Sequence, residues 1–103
     1  MKKEKPRTDP RPSYQSIKVL NSFLSSPARE LSGADLLSFA GIPSGTLYPI
    51  LIRFEEAGWL TSRWEKRHAG LQGRPARKLY RITGAGAAKA AALREEILGG
   101  LAT

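Results

Sequence analysis

The sequence of 103 residues contains no cysteine, a single histidine and only nine acidic side chains. Without cysteine the chain can form neither a disulfide bond nor a thiolate metal site, and this composition fits a reducing cytoplasm. Its apolar stretches are far shorter than the ~18 residues that span a bilayer. No apolar run follows the basic N-terminal residues, as it would in a secretory signal. We therefore expect a cytoplasmic protein with no membrane-spanning segment.

Basic side chains, by contrast, are abundant and concentrated in two segments. The chain has 17 lysines and arginines and a formal net charge of +8 at pH 7. Residues 1–13 hold five bases against two acids, and residues 59–82 hold seven against one. A surface that is charged only for solubility spreads its charge more evenly. The excess indicates a polyanionic partner, with nucleic acid the first candidate and an anionic membrane surface the second.

The first third of the chain combines a polar arm with two predicted helices. Residues 1–13 contain three prolines and no apolar period, which is typical of a flexible basic arm. Apolar residues then recur at steps of three and four over 14–24 and predict a helix. We expect an extended piece at 28–31. Ser32, three residues before an aspartate, resembles a capping box at the start of a second helix, which Gly41 ends.

A third helix is predicted over about 44–57. Pro49 would lose a backbone hydrogen bond in the second turn of a helix, whereas its missing N–H costs nothing in the first turn. We therefore expect the helix to start at Gly45 or Thr46, after an irregular turn. The residues expected on its buried face are Leu47, Ile50, Leu51 and Phe54.

Two strands and a last helix complete the prediction. Alternating patterns at 60–65 and 78–82 indicate an antiparallel hairpin with a basic loop at 66–77; we call these three segments the wing. Thr83 can cap a helix over about 85–98, which two glycines end. The aromatic residues expected in the core between helices and sheet are Trp59, Trp64 and Tyr80.

This order of elements predicts a fold that is mainly α with a small antiparallel β-hairpin. It is the order of a winged helix-turn-helix with an additional C-terminal helix. We expect a basic arm at 1–13, one domain at 14–98 with a dimerisation helix at about 84–98, and a short tail at 99–103. In such a domain the third helix enters the major groove of DNA, and the wing lies on neighbouring backbone or minor groove.

Several motifs recur in a specific order along the middle of the chain. They are GTLYPIL at 45–51, FEEAGWL at 54–60, RWE at 63–65, GRP at 73–75, and LYRIT at 79–83 followed by Gly86. Together they resemble the PadR family of bacterial transcription regulators over roughly residues 31–90. The resemblance implies a cytoplasmic repressor, associated with the nucleoid when bound to DNA, that forms a homodimer through its last helix.

The resemblance also bears on small-molecule effectors. Family members that bind planar small molecules do so at the dimer interface. The last helix here is short and has no aromatic side chain, which argues against such an effector site. The entry to the second helix, residues 32–35, also departs from the family, since many members carry an aromatic residue after the glycine.

The non-core face of the third helix is the candidate for base and phosphate contact. Hydroxyl groups and the exposed N–H groups of a helix start suit phosphate oxygens. Alternatively, Ser44 or Thr46 only caps the helix, Tyr48 packs half-buried, and Arg53 pairs with a nearby glutamate. The candidate residues are Ser44, Gly45, Thr46, Tyr48, Ile52 and Arg53.

The wing supplies the second set of candidates. Its basic residues are either phosphate contacts or an ordinary solvated charge run. Arg74, before a proline, is the candidate for insertion into the minor groove, whose negative potential favours arginine. The candidate residues are Arg63, Lys66, Arg67, Arg74, Arg77 and Lys78.

Apolar residues of the last helix recur with the spacing of a short coiled coil, which predicts a dimer contact. We expect the first helix to complete this contact. The alternative is that Leu93 and Ile97 cover only the core of their own chain. The residues predicted at the interface are Ala90, Leu93, Ile97, Leu98, Tyr14 and Phe23.

Two motifs that resemble catalytic sites lack residues which such sites need. Residues 84–89 follow a strand as a dinucleotide-binding fingerprint does, but Lys89 replaces its last glycine or alanine. His68 lies in the wing loop without a cysteine or aspartate beside it. We predict no enzyme, no metal and no cofactor.

Two functions remain open from the sequence. The first is a sequence-specific repressor that binds a palindromic operator in double-stranded DNA as a homodimer. The alternative is a winged-helix module that docks on another protein within a nucleoprotein complex, without operator-specific binding. Its anchors would be Tyr48, Ile52 and Leu71. Binding through phosphates weakens steeply with salt, whereas docking through apolar anchors does not.

Overall fold

The computed structural model describes residues 13–66, 73 and 75–102, with side chains up to residue 96. Residues 1–12 of the predicted arm at 1–13, and Arg67, His68, Leu71 and Arg74 of the wing loop, lie outside the described residues. Within the described residues, four helices and three strands follow one another in the predicted order, and the mainly helical winged fold is confirmed. The elements are α1 (Tyr14–Leu24), β1 (Leu31–Ser32), α2 (Gly33–Ala40), α3 (Ser44–Glu56), β2 (Leu60–Trp64), β3 (Lys78–Ile82) and α4 (Gly84–Ala102).

The sheet has three antiparallel strands in the order β1-β3-β2. In the hairpin Leu60 lies opposite Ile82 and Trp64 opposite Lys78. The extended piece expected at 28–31 becomes a strand only at Leu31, because Arg29 N–H donates to the Ser26 carbonyl and closes a turn first. β1 then pairs with β3 and adds a third strand to the hairpin; the sequence had indicated a short strand here but not this pairing.

Local capping explains where α2 begins and ends. The Ser32 hydroxyl accepts a hydrogen bond from Asp35 N–H, and the Asp35 carboxylate accepts one from Ser32 N–H. The predicted capping box is therefore confirmed. Gly41 ends the helix with φ 66°, a left-handed conformation that glycine adopts without steric cost.

The expected start of α3 is wrong. The helix begins at Ser44, and its first bonds run from Thr46 and Leu47 N–H to the Pro43 carbonyl. No side chain caps it, so neither hydroxyl at its start serves as a cap. Pro49 thus lies in the second turn, where it removes the bond to the Gly45 carbonyl. Gly45 is exposed, so water can hydrate that carbonyl.

One core lies between the helices and the inner face of the sheet. All four residues predicted on the buried face of α3 are buried, and Phe54 packs on Trp59 with ring centroids 5.2 Å apart. Tyr80 is buried as expected. The prediction for Trp64 is wrong: 64% of this residue is exposed. It lies on the same face of β2 as Leu60, but beyond the part of the sheet that the helices cover.

The last helix begins as predicted but does not end at the two glycines. Thr83 caps it, its hydroxyl accepting from Gly86 N–H at 3.0 Å. The helix continues through residues 99 and 100 to Ala102. Each glycine costs a helix about 1 kcal/mol relative to alanine, which is too little to stop an established helix.

Three of the residues predicted for a dimer contact are already buried within one chain. Phe23, Ala90 and Leu93 are 1%, 2% and 6% exposed. The last two belong to an apolar stripe on α4, formed by Gly86, Ala90 and Leu93, which packs against the core of the same chain. Gly86 begins this stripe against the Trp59 carbonyl, where a Cβ atom would collide. These residues are not available to a partner. Tyr14 is 74% exposed, and the side chains of Ile97 and Leu98 lie outside the described residues.

No single helix of the described chain has both the length and the apolar composition needed to cross a membrane. Only α2 and α3 taken together meet that test, as a pair bent by 112°. Their apolar faces contribute to the core described above.

Candidate nucleic-acid interface

The six residues predicted for DNA contact on α3 form one surface on the side of the helix that faces away from the core. Tyr48 is 42% exposed and Ile52 58%. Thr46 is partly buried, and the others are exposed. In the first turn of α3, the backbone N–H groups of Ser44 and Gly45 precede the first hydrogen bonds of the helix, and such groups suit an anion. The surface comprises Ser44, Gly45, Thr46, Tyr48, Ile52 and Arg53.

Tyr48 is held in place by the start of α2. Gly33 is buried beneath the tyrosine ring, and a Cβ at this position would collide with the Tyr48 hydroxyl and ring carbons. A glycine is therefore required for the ring to lie where it does. The direction of the ring therefore depends on how the start of α2 packs against α3.

The wing is joined to α3 by polar side chains. The Ser62 hydroxyl of β2 donates a 2.6 Å hydrogen bond to the Glu55 carboxylate. Tyr80 of β3 is buried near the same carboxylate. Burial raises the pKa of the Tyr80 hydroxyl above its ordinary value of 10.0, and the negative charge of Glu55 raises it further. The stem of the wing and the last turns of α3 therefore form one unit.

Between α3 and the wing lies an open cavity of about 540 Å³, which we call the α3–wing groove. Three aromatic side chains line it, together with two cations near the wing. None of the described lining residues is acidic. The groove is lined by Ser32, Gly33, Ala34, Tyr48, Ile52, Trp64, Arg77, Lys78 and Tyr80.

Lys78 is positioned by two of these rings. Its ammonium group lies 5.9 Å from the ring centroid of Trp64 and 5.8 Å from that of Tyr80. Both distances are within the range of a cation–π interaction. The lysine charge is thus held at the groove, while one of the two rings, that of Trp64, is largely exposed.

Two of the other predicted wing residues border the groove or the wing loop. Arg77 lines the groove and pairs with Glu65 at 3.3 Å, and its N–H also donates to that carboxylate. Because Glu65 N–H in turn donates to the Arg77 carbonyl, these two residues close the base of the wing loop. Lys66 is exposed beside them.

Arg63 is not brought together with the other candidates. Its guanidinium donates two 2.7 Å hydrogen bonds to Glu30, and this contact lowers the pKa of the Glu30 carboxyl. Strand alternation directs Arg63 to the sheet face opposite Ser62 and Trp64, where Arg81 donates to the Ala28 carbonyl. The pair connects β2 to the segment before α2 and lies away from the groove.

Sequence reasoning missed Trp64, Ser62 and Glu55 as site residues. The alternation of β2 correctly directs Ser62 and Trp64 to the face of Leu60. The available signal was that Trp64 stands at the end of this alternation, directly before the basic loop. The spacing of residues in the sequence does not indicate how far along the sheet the helices cover it.

The chemistry of the described surface is that of binding. It offers hydroxyls, backbone N–H groups, cations and aromatic rings. In the part of the chain that the structure describes, no three His, Asp or Glu side chains lie together so as to hold a metal ion.

Comparisons with known proteins agree with this geometry. The family model described as "Transcriptional regulator PadR-like family" matches residues 34–92, more than half of the chain. The crystal structure of smu.1704 from Streptococcus mutans UA159 is similar, with 27% identity and a TM-score of 0.64 over 82% of this chain and 77% of that one. A PadR family transcriptional regulator from Eggerthella lenta DSM 2243 has 26% identity and a TM-score of 0.63 over 85% of this chain and 81% of its own.

A third solved structure is similar in fold alone. It is a possible transcriptional regulator from Methanosarcina mazei Go1, with 18% identity and a TM-score of 0.56 over 82% of this chain and 72% of that one. The search of curated proteins found no match.

Proposed function

The chain belongs to the PadR-like family of DNA-binding transcriptional regulators, so we propose that it is a repressor which binds a palindromic operator as a homodimer. As a member of this family it is a regulator and not an enzyme. α3 enters the major groove of each half-site, and the wing contacts neighbouring backbone. Repression follows from occupation of a promoter, without chemistry on the DNA. The protein acts in the cytoplasm and on the nucleoid.

The observation that carries this proposal is the exposed surface at the start of α3. Its hydroxyls and apolar side chains stand on the side opposite the core residues Leu47 and Phe54, so α3 can approach DNA without disturbing the fold. Arg53 lies on this helix, and Lys66, Arg77 and Lys78 lie on the wing beside it. Arg67 and Arg74 are proposed as further wing contacts from their place in the sequence. Arg63, bound to Glu30 on the opposite face of the sheet, is not among the proposed DNA contacts.

The homodimer is supported by the length of α4. The stripe that covers the chain's own core reaches Leu93, and the helix continues for nine further residues. In the sequence, Ile97 follows Leu93 at the next step of the same repeat, and Leu98 comes directly after it. Exposed Tyr14 is the candidate contact from α1. We therefore place the dimer contact at the end of α4 and the start of α1, without Phe23, Ala90 or Leu93.

Selection of bound duplexes from a random DNA pool tests the proposal. We expect an enriched palindrome whose half-sites are one helical turn apart. Affinity for it should fall by about 10³–10⁵ between 50 and 200 mM salt if six to ten phosphates are contacted. Lys78→Gln should reduce the salt dependence by about one contact per subunit. Arg63→Gln, on the opposite face of the sheet, is the matched control and should leave the salt slope unchanged.

The exposed apolar side chains of Ile52 and Trp64 also fit the second candidate, a module that docks on another protein. In that case no sequence is enriched from the pool, and any residual DNA binding is the same for every duplex. Enrichment of a sequence with a steep salt dependence excludes this alternative.

A further inference from the structure

Trp64 is the most exposed aromatic side chain beside α3. Trp64, on β2, is 64% exposed, whereas the other tryptophan, Trp59, is only 5% exposed. A large apolar ring at the surface costs free energy that a partner can recover by covering it. Its ring forms one wall of the α3–wing groove, and Tyr48 and Ile52 of the proposed DNA surface form the wall on α3.

The geometry of duplex DNA determines what can fill this groove. The major and minor grooves of a duplex are separated by one sugar–phosphate strand. When α3 lies in a major groove and the wing lies on the adjacent minor groove, that strand must pass between them. The α3–wing groove is the open space between these two elements, and it is continuous with the exposed surface of α3.

The lining of the groove matches the chemistry of such a strand. A deoxyribose presents apolar C–H groups, whereas a phosphate presents charged oxygens. The rings of Trp64, Tyr48 and Tyr80 provide apolar walls, and Lys78 holds an ammonium group beside two of those rings. Arg77 lines the same side of the groove, where its guanidinium is paired with Glu65. With no acidic residue among the described lining residues, nothing in them repels the phosphate.

We propose that the α3–wing groove binds the sugar–phosphate strand between the major and minor grooves, with Trp64 packed on deoxyribose and Lys78 on the adjoining phosphate. Trp64 is then a DNA-contacting residue that adds affinity for every sequence. This inference rests on the proposed function, since it requires α3 to bind duplex DNA.

Tryptophan fluorescence tests the inference on the full chain with the duplex selected above. Trp59 is buried, so acrylamide quenches mainly Trp64. We expect the operator duplex to shield Trp64, reducing quenching toward the level of the Trp64→Phe protein. In that variant, Trp59 should respond little to DNA.

Affinity provides the second readout. Trp64→Ala should weaken operator binding by about tenfold, as truncation of an aromatic contact at an interface commonly does. Trp64→Phe should retain most of the affinity. Phe39→Ala is the matched control: this aromatic residue on α2 is 53% exposed, contacts Arg29 and does not line the groove. The weakening by Trp64→Ala should be equal for operator and unrelated duplexes.

The two proposals fail in different ways. If no duplex is enriched and none is bound, the proposed function itself is wrong. If the operator binds tightly while Trp64 stays fully accessible to acrylamide, and Trp64→Ala binds like Phe39→Ala, the strand does not pass through the groove. If Trp64→Ala weakened binding to the operator but not to unrelated duplexes, the proposed backbone contact would also be wrong, because Trp64 would then contact a base.

Discussion

Ser62 and Glu55, one on the wing and the other on α3, share a 2.6 Å hydrogen bond between their side chains. The bond sets the distance between the two elements that we propose to contact DNA. Removing the hydroxyl with Ser62→Ala leaves a partly buried carboxylate without this donor. We expect the free energy of unfolding, measured by urea denaturation, to fall by about 1 kcal/mol. The loss stays this small because Glu55 is partly exposed, so water can replace the lost donor.

Thr61→Ala is the control for this variant, since Thr61 is an exposed neighbour on the other face of β2. It should change the stability by less than ~0.5 kcal/mol. Equal stabilities of the two variants would show that the hydrogen bond between Ser62 and Glu55 contributes nothing to the stability of the fold.

The buried Tyr80 hydroxyl predicts a loss of stability in alkali. Burial, assisted by the Glu55 carboxylate, raises the pKa of Tyr80 in the folded chain. The folded chain therefore keeps this proton to higher pH than the unfolded chain. The contribution is complete below the unfolded pKa of about 10 and is lost as the pH rises through the folded pKa. Urea midpoints should fall above about pH 10.

Tyr80→Phe should remove this alkaline decrease, whereas Tyr14→Phe, at an exposed position, should preserve it. The comparison isolates one hydroxyl group because the aromatic ring stays in both variants. A decrease of the same size in the Tyr80→Phe protein would assign the effect to another group.

Gly33 predicts a coupling between α2 and DNA binding. The Cβ of Gly33→Ala would meet the Tyr48 hydroxyl, and the tyrosine, which is partly exposed, can rotate away. We expect the variant to fold with a stability within ~1 kcal/mol of the parent and to bind the operator more weakly. Tyr48→Ala should weaken binding in the same way.

The double variant Gly33→Ala with Tyr48→Ala should bind like Tyr48→Ala alone. Two changes that act through one side chain are not additive. Additive losses of affinity would mean that Gly33 acts on the interface without Tyr48.

Two truncations separate the two roles of α4. A chain that ends at Lys89 loses Ala90 and Leu93 from the core, and loss of a buried leucine alone costs ~2–5 kcal/mol. A chain that ends at Glu96 keeps both residues. We expect the chain that ends at Glu96 to be folded by circular dichroism but monomeric in sedimentation. The full chain should be dimeric at micromolar concentration.

A dimer of the chain that ends at Glu96 would move the contact away from the end of α4. A monomeric full chain would end the proposal of paired recognition helices. Tyr14→Ser in the full chain tests whether α1 participates, since Tyr14 is exposed and its loss should affect association alone.

Features that depend on neighbours along the chain were determined by the sequence itself. The capping box of α2 joins residues three positions apart, and the buried face of α3 follows from a helical period. The two strands of the wing follow from alternation. The surface of α3 was predictable for the same reason, because a helix whose core face is known has only one opposite side.

The tertiary structure alone decided which side chains meet across the fold. Arg63, which the sequence predicted to contact DNA, instead pairs with Glu30, 33 residues away, and lies on the face of the sheet opposite the groove. Trp64 is exposed because the covering helices stop short of it, and Leu93 is buried because α4 packs on its own chain. Spacing determines the face on which a residue lies, whereas its partner depends on how the elements pack, and this sequence has no local signal for that packing.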